Sequence, residues 1–322
     1  MKLYILKEHD PHRNLATEEY LFETAEDDVM ILWQNAPTVV IGKNQNAYAE
    51  INTDYTDKNG ILLARRISGG GAVYHDLGNV NYTFISSRNE TEIDFKTFTA
   101  PIIEALSSLG ISASLTGRND IEVNGKKISG NAQHVKGNKV LHHGTLLYNS
   151  DLSVLSSALT VDEEKIKARA IRSARSRVIN IIDMIDEKMS VEEFIEVLAS
   201  YIIKTYGATP EAPPISESID ALTIRNRSRE WLYPEKDYLS RYTVHKKKKY
   251  SFGIVDIFFE MKNGIIEGAR IIGDYFGIKD IAILENALIG KRTSELASIL
   301  QEVNISDFIN GMTAEDFISQ IK

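Results

Sequence analysis

Arg118-Asn119-Asp120-Ile121-Glu122-Val123-Asn124-Gly125-Lys126-Lys127-Ile128-Ser129-Gly130-Asn131-Ala132 sets two short strand-forming runs on either side of Asn-Gly. That dipeptide suits the positive φ angles of a two-residue turn, so the stretch predicts a β-hairpin. Such a turn pairs Val123 with Lys126, Glu122 with Lys127, Ile121 with Ile128 and Asp120 with Ser129. Alternation then puts Ile121, Val123 and Ile128 on one apolar face, and Asp120, Glu122, Lys127 and Ser129 on the other. The polar face reads either as the wall of a site or as solvated surface carrying a Lys127–Glu122 ion pair; the hairpin taken alone favours the second. Ser129-Gly130 adds a hint of close backbone approach.

Strand-like runs precede the hairpin at Val29–Trp33, Thr38–Ile41, Ile61–Arg65 and Val80–Ser86, and VLHHGTLLY follows it. Helical periodicity appears from an N-cap at Asn14, over Phe95–Leu109, Val191–Tyr206 and Asp220–Leu232. Strands and helices do not alternate regularly, so the class expected is α+β. The run His245–Lys249, HKKKK, reads as a solvated linker, followed by a strand pair around Asn263-Gly264 and helices to the C-terminus. The expected division is therefore 1–245 and 246–322.

The chain has 322 residues, a net charge of −8 and no cysteine. The acidity argues against nucleic acid as a partner. The N-terminus lacks an apolar leader and no stretch reaches the ~20 apolar residues of a membrane span, so a cytoplasmic protein is expected. Lack of cysteine excludes disulfides, thiolate metal sites and any thioester on the enzyme.

Three further segments carry candidate chemistry. In Arg65-Arg66-Ile67-Ser68-Gly69-Gly70-Gly71-Ala72-Val73-Tyr74-His75-Asp76, three successive glycines call for positive φ or a ligand lying against bare backbone. No Lys-Ser or Lys-Thr follows, so this is not a Walker loop, and it lacks the dinucleotide fingerprint; the alternative is a flexible turn with solvated arginines. His142 and His143 occupy adjacent strand positions, point to opposite faces and do not suit one metal; one is expected packed, the other at a site wall. Finally, Arg169, Arg172, Arg175 and Arg177, with Ser173 and Ser176 between them, offer phosphate donors in an acidic chain, or a solvated helix face.

Taken in order, RRISGGGAVYHDLGNVNYTF, KKISGNAQ, HHGTLLYNSDL and RSARSRVIN resemble the lipoate–protein ligase A family in its two-domain form. The resemblance implies a catalytic domain of the biotin/lipoate ligase type, related to class II aminoacyl-tRNA synthetases, with a mixed sheet and flanking helices, plus a small α+β C-terminal domain. It implies ATP-dependent activation of lipoate to lipoyl-AMP and transfer to a lysine of acceptor lipoyl domains, in 2-oxoacid dehydrogenase E2 subunits or glycine cleavage H protein. On that basis Arg66, Gly71, Ala72, Val73 and Tyr74 are nucleotide contacts, and Lys127 touches both ATP and the lipoyl carboxyl. Gly70 and His143 join Lys127 at lipoate; Arg172, Arg175 and Arg177 belong to a loop over the adenylate; Asp120 is a candidate Mg²⁺ contact. A monomer is expected. The rival readings are an octanoyl or lipoyl transferase, which needs the cysteine this chain lacks, and a non-catalytic module that binds lipoyl domains.

Overall fold

The computed structural model describes residues 1–88, 92–158, 177–233 and 241–321. Among the described residues fourteen strands run in chain order as β1 Lys2–Ile5, β2 Val29–Trp33, β3 Thr38–Ile41, β4 Leu62–Arg65, β5 Val73–His75, β6 Asn79–Ser87 and β7 Ser114–Thr116. They continue as β8 Asp120–Val123, β9 Lys126–Lys136, β10 Lys139–Leu147, β11 Thr209–Glu211, β12 Val244–Tyr250, β13 Gly253–Lys262 and β14 Ile265–Gly273. The main sheet has the order β11-β1-β2-β6-β10-β9-β8-β7, parallel only where β1 meets β11 and β2. A small sheet, β4-β3-β5, lies apart from it.

Each face of the main sheet has its own cover. Helices Phe95–Ser108 and Val191–Tyr206 bury Phe98, Ile102, Leu106, Phe194, Leu198 and Ile202 with Leu32, Val80 and Tyr82 of the sheet. On the other side Leu15, Leu21 and Phe22 of helix Pro11–Thr24 pack with Ile31 and Trp33, and with Val40 of the small sheet. The C-terminal residues fold around a third core, in which the sheet β12-β13-β14 contributes Val255, Ile257 and Phe259, and three helices contribute Leu284, Leu300 and Phe317.

The hairpin forms at Asn124-Gly125, whose φ angles of 51° and 74° are those the turn demands. Its first two pairs match the sequence reading. After them a β-bulge at Ile128 shifts the register, so Ile121 faces Ser129 and Asp120 faces Gly130. Ser129 therefore leaves the polar face and is buried, while Gly130 takes its place.

Two other expectations are corrected. The first helix begins a turn before Asn14, because the Asp10 carboxylate accepts from His12 N and Pro11 occupies the first turn. Asn14 is instead a buried strut, its Nδ2 donating to the carbonyls of Glu8 and Gln34 and to Asn35 Oδ1. The His245–Lys249 run is not a linker but most of β12, exposed at the edge of its sheet. A row of lysines there discourages pairing with another chain's edge.

Where β10 crosses the middle of the main sheet, Gly144 leaves room for the Tyr82 hydroxyl and the Asn131 carboxamide, which hydrogen bond to each other. A Cβ at 144 would lie 2.3 Å from Asn131 Oδ1 and 2.5 Å from the Tyr82 ring. Gly144→Ala is expected to cost about 1–3 kcal/mol through overpacking. Urea unfolding checks this, and an unchanged midpoint would show that the two side chains can give way.

Candidate functional site

One cleft of about 290 Å³ opens between the main sheet and the small sheet. Its floor is a row of neighbouring residues, Trp33 on β2, Asn81 on β6, Thr145 on β10, Gly130 on β9 and Asp120 on β8, paired across the strands except between Thr145 and Gly130, where the Thr145 hydroxyl accepts from Gly130 N. Four strand spacings separate the ends of that row, about 19 Å. At the β2 end the walls are Leu15, Trp33, Val40 and Val73; at the β8 end they carry Lys127 and Arg118. The cleft thus grades from apolar to cationic along its length.

The structure brings Arg66, Gly70, Gly71, Ala72, Val73, Asp120, Lys127 and His143 together around this one cavity. Lys127 Nζ lies 2.8 Å from Asp120 Oδ1, so its ion partner is Asp120 and not Glu122. The bulge explains the switch, since it brings Gly130 opposite Asp120 and lets the lysine side chain run across the bare glycine. A Cβ on Gly130 would stand 2.9 Å from Nζ. Main-chain bonds fix the base of the lysine: Lys127 N donates to Arg177 O and Ile179 N donates to Lys127 O, at 2.7 and 3.1 Å. Arg177 is exposed next to this pairing; Arg172 and Arg175 lie outside the described residues.

The two arginines before the glycines are not solvated. Arg65 donates to the carbonyls of Gly42, Lys43, Gln45, Trp231 and Leu232. Arg66 donates to the Ser68 hydroxyl and to the carbonyls of Val40, Gly69 and Gly71, so it shapes the glycine loop from beneath. Burial pulls its guanidinium down to about 10, which still leaves it cationic at neutral pH. The side chain of Tyr74 points away from the cleft into a core with Val39 and Ile41, and the residue is not part of the cleft lining.

The three glycines answer to different constraints. A Cβ on Gly69 would meet Tyr275 O at 2.4 Å, and Gly70 has a φ of 88° and donates its N–H to the same carbonyl at 3.3 Å. The segment that follows β14 therefore seats directly on the loop. Asp274 of that segment lines the cleft, and Phe276 lies under the Arg118 guanidinium, 4.6 Å from ring centre to Cζ.

His143 stands on the cleft face and His142 on the opposite one, as adjacent strand positions require. His142 is stacked between Phe98 and Tyr82, with Nδ1 accepting from Gln133 Nε2. His143 Nε2 lies 2.7 Å from Ser68 Oγ and its Nδ1 2.9 Å from Glu18 Oε1. The order Ser–His–Glu has a hydrolase's connectivity, but Ser68 is fully buried away from the cleft lining and receives the Arg66 Nε–H, so its oxygen is not presented to a substrate. From Glu18 the chain of bonds continues to Thr83 and the Trp33 indole N–H.

Trp33, Asn81, Arg118, Asn131, Thr145 and Asp274 also line the cleft and were not singled out in the sequence. Trp33 had one signal, a large aromatic ending an otherwise aliphatic strand. Among the described residues no group of three or more His, Asp or Glu could hold a metal by itself, and no helix is long and apolar enough to cross a membrane.

A mixed sheet crossed by a graded cleft, with a glycine loop and one lysine at its cationic end, defines a domain built to hold an apolar-tailed acid beside an anionic group. Residues 10–203 match the family model of the lipoyl protein ligase A/B catalytic domain, and residues 240–321 that of the bacterial lipoate protein ligase C-terminus. The chain belongs to the lipoate–protein ligase family. It is 41% identical to lipoate-protein ligase LplJ of Bacillus subtilis over 97% of both chains, and 42% identical to lipoate–protein ligase 1 of Staphylococcus aureus over 87% of both. Among solved structures, LipL1 of P. falciparum in complex with lipoate superposes with a TM-score of 0.81 at 26% identity, covering 99% of this chain and 97% of that one. A lipoate-protein ligase A bound with ATP gives 0.62 at 29% identity over 72% and 98%.

Burial holds four imidazoles around the sheet below their usual range: His75 at about 3, His134 at about 4, His142 well down and His12 lowered. The unfolded chain protonates these groups first, near pH 6.5, so their contribution is complete above that pH and is lost as pH falls below it. Each group's slope approaches about 1.4 kcal/mol per pH unit. The urea midpoint is expected to drop steeply from pH 7 to pH 5, whereas a flat midpoint would mean that the imidazoles are reached by protons in the folded state.

Proposed function

We propose that the chain activates lipoate with ATP and transfers the lipoyl group from lipoyl-AMP to a lysine of an acceptor lipoyl domain. The observation that carries this reading is the grading of one continuous cleft from apolar walls at Trp33 to Lys127 and the glycine loop. The acyl tail lies at the apolar end and its carboxylate beside Lys127. A carboxylate oxygen attacks the α-phosphorus of ATP, pyrophosphate leaves, and the acceptor's amine then attacks the acyl carbon; AMP departs and the amine gives up a proton.

Neither step needs a nucleophile from the protein. Both need positive charge where negative charge gathers in the transition state, and Lys127 Nζ supplies it without a large reorganisation. Gly71 through Val73 offer main-chain contacts to the nucleotide, with Arg66 holding their loop in shape. Mg²⁺ bound to nucleotide phosphates takes one or two protein carboxylates, and Asp120, already at Lys127, fits as one of them. When bound, the ion neutralises phosphate charge.

The same reading takes the residues before β12 as catalytic and those from β12 onward as accessory, supported by their separate cores; a division at 245/246 would cut β12, whose Val244 already packs against the C-terminal core. It places the enzyme in the cytoplasm as a monomer, with E2 subunits and H protein as acceptors; a solved bipartite archaeal ligase was studied with its E2 lipoyl domain. A transferase working through an enzyme cysteine is disfavoured, because the sequence has none.

Lys127→Ala removes a partly exposed side chain and is expected to keep the fold, while lipoyl-AMP formation falls at least about a hundredfold. Gly130→Ala, which displaces Nζ without removing it, is expected to fall in between. Wild-type rates of lipoyl-AMP and pyrophosphate production in Lys127→Ala would refute the assignment, and no adenylate from the wild type would favour a binding module.

A further inference from the structure

The apolar end of the cleft carries a polar group that the scheme above leaves idle. His75 lines the cleft beside Trp33, is 4% exposed, and its Nε2 has no hydrogen-bond partner among the described residues. Its other ring nitrogen, Nδ1, lies 3.0 Å from Asn35 Nδ2.

The tautomer follows from the groups behind it. Asn14 Nδ2 faces the main-chain carbonyls of Glu8 and Gln34 at 2.9 and 2.8 Å, so that atom is the nitrogen. It also donates to Asn35 at 3.0 Å, which makes the facing atom of Asn35 its oxygen. Asn35 must then present its NH₂ to His75, and Nδ1 must accept. Burial keeps the imidazole neutral, so its one proton sits on Nε2. The three residues form a relay that ends in a fixed N–H donor, with Asn14 and Asn35 themselves almost wholly buried.

Two other residues of the cleft lining also carry a nitrogen without a hydrogen-bond partner among the described residues, Arg118 and Asn81. Arg118 belongs to the cationic end, where phosphate is expected; Asn81 accepts from Asn79 through Oδ1, and its Nδ2 is a second unpartnered donor, on the floor of the cleft rather than on the His75 wall. His75 differs in that its donor is fixed by the relay behind it and stands among Trp33, Val40 and Val73, where a saturated acyl tail offers nothing to accept it.

We propose that His75 is a specificity-determining residue, whose Nε2–H donates to an acceptor atom at the far end of the acyl substrate, namely a sulfur of the lipoyl dithiolane ring. This rests on the ligase reading and deepens it. A plain eight-carbon acid has the same length but leaves the donor unmet, so the relay discriminates lipoate from octanoate. Sulfur is a weak acceptor, and the discrimination is accordingly modest.

The test compares kcat/KM for lipoate and octanoate in the full-length wild type, His75→Leu and His75→Gln. Leucine removes the donor; glutamine restores an N–H near the same place. The lipoate-to-octanoate ratio is expected to fall about tenfold in His75→Leu, chiefly through KM for lipoate, and to stay within about threefold of wild type in His75→Gln. An unchanged ratio in His75→Leu, or an equal loss in both variants, overturns the proposal. Should the variants not fold, ¹⁵N-histidine spectra of the wild type decide it. An Nε2–H tautomer whose signal moves with lipoate but not with octanoate supports the assignment, and an Nδ1–H tautomer or equal shifts defeat it. Lipoyl-AMP formation by the wild type in the same assay shows whether the ligase reading itself stands.

Discussion

A buried chain of hydrogen bonds running Arg66–Ser68–His143–Glu18–Thr83–Trp33 ties the molecule together at the cleft. Its members come from the glycine loop, β10, the first helix, β6 and β2, all pinned to one another in a space with almost no solvent. A carboxylate such as Glu18 is costly to bury without partners, so the helix can dock only where His143 and Thr83 meet it. That requirement fixes the height of the helix over the sheet, and with it the width of the cleft. Arg66 extends the constraint into the loop, whose shape follows from the carbonyls that the guanidinium gathers. The cationic end of the cleft is then suspended from this frame by one hairpin.

The hairpin also shows how much of the site could be read in advance. Asn124-Gly125, the apolar face of Ile121 and Val123, and the exposure of Lys127 on the far side all follow from turn chemistry and alternation. The bulge at Ile128 does not, because an extra residue on one strand leaves no mark in a pattern of apolar and polar letters. It is nonetheless what sends Lys127 to Asp120 and turns Ser129 inward. Likewise β2 and β3 fall where their aliphatic runs end, and the helix Val191–Tyr206 matches its periodicity to the residue. Asn14 misled because it has the chemistry of a cap but uses it on distant carbonyls. HKKKK misled because charge alone does not distinguish a linker from the solvated edge of a sheet. Trp33 and Asp274 stand far from Lys127 in sequence; the order of the main sheet brings Trp33 to the cavity, and the seating of the segment after β14 on the glycine loop brings Asp274.

The C-terminal residues do more than follow the catalytic ones. Tyr275 sits on Gly69 and Gly70, Gly273 N donates to Asn44 O at 2.9 Å, and Lys43 pairs with Asp280 at 2.7 Å. Two of the three successive glycines are thus accounted for by another stretch of the same chain rather than by a ligand. Gly71 fronts Asp274 with ample space between them, and it is the glycine whose backbone remains open to the cleft. The entropic penalty of three glycines in a row is offset by contacts that any Cβ at 69 would forbid.

In the proposed complex a single cleft holds the acyl tail at its Trp33 end and the adenylate at its Lys127 end. A crystal structure of the full chain with a non-hydrolysable lipoyl-AMP analogue tests it most directly. The dithiolane is expected beside Trp33 and His75, the acyl-phosphate linkage within hydrogen-bond distance of Lys127 Nζ, and the nucleotide along Gly71 to Val73. An analogue bound in the reverse sense, or with its phosphate remote from Lys127, would contradict it.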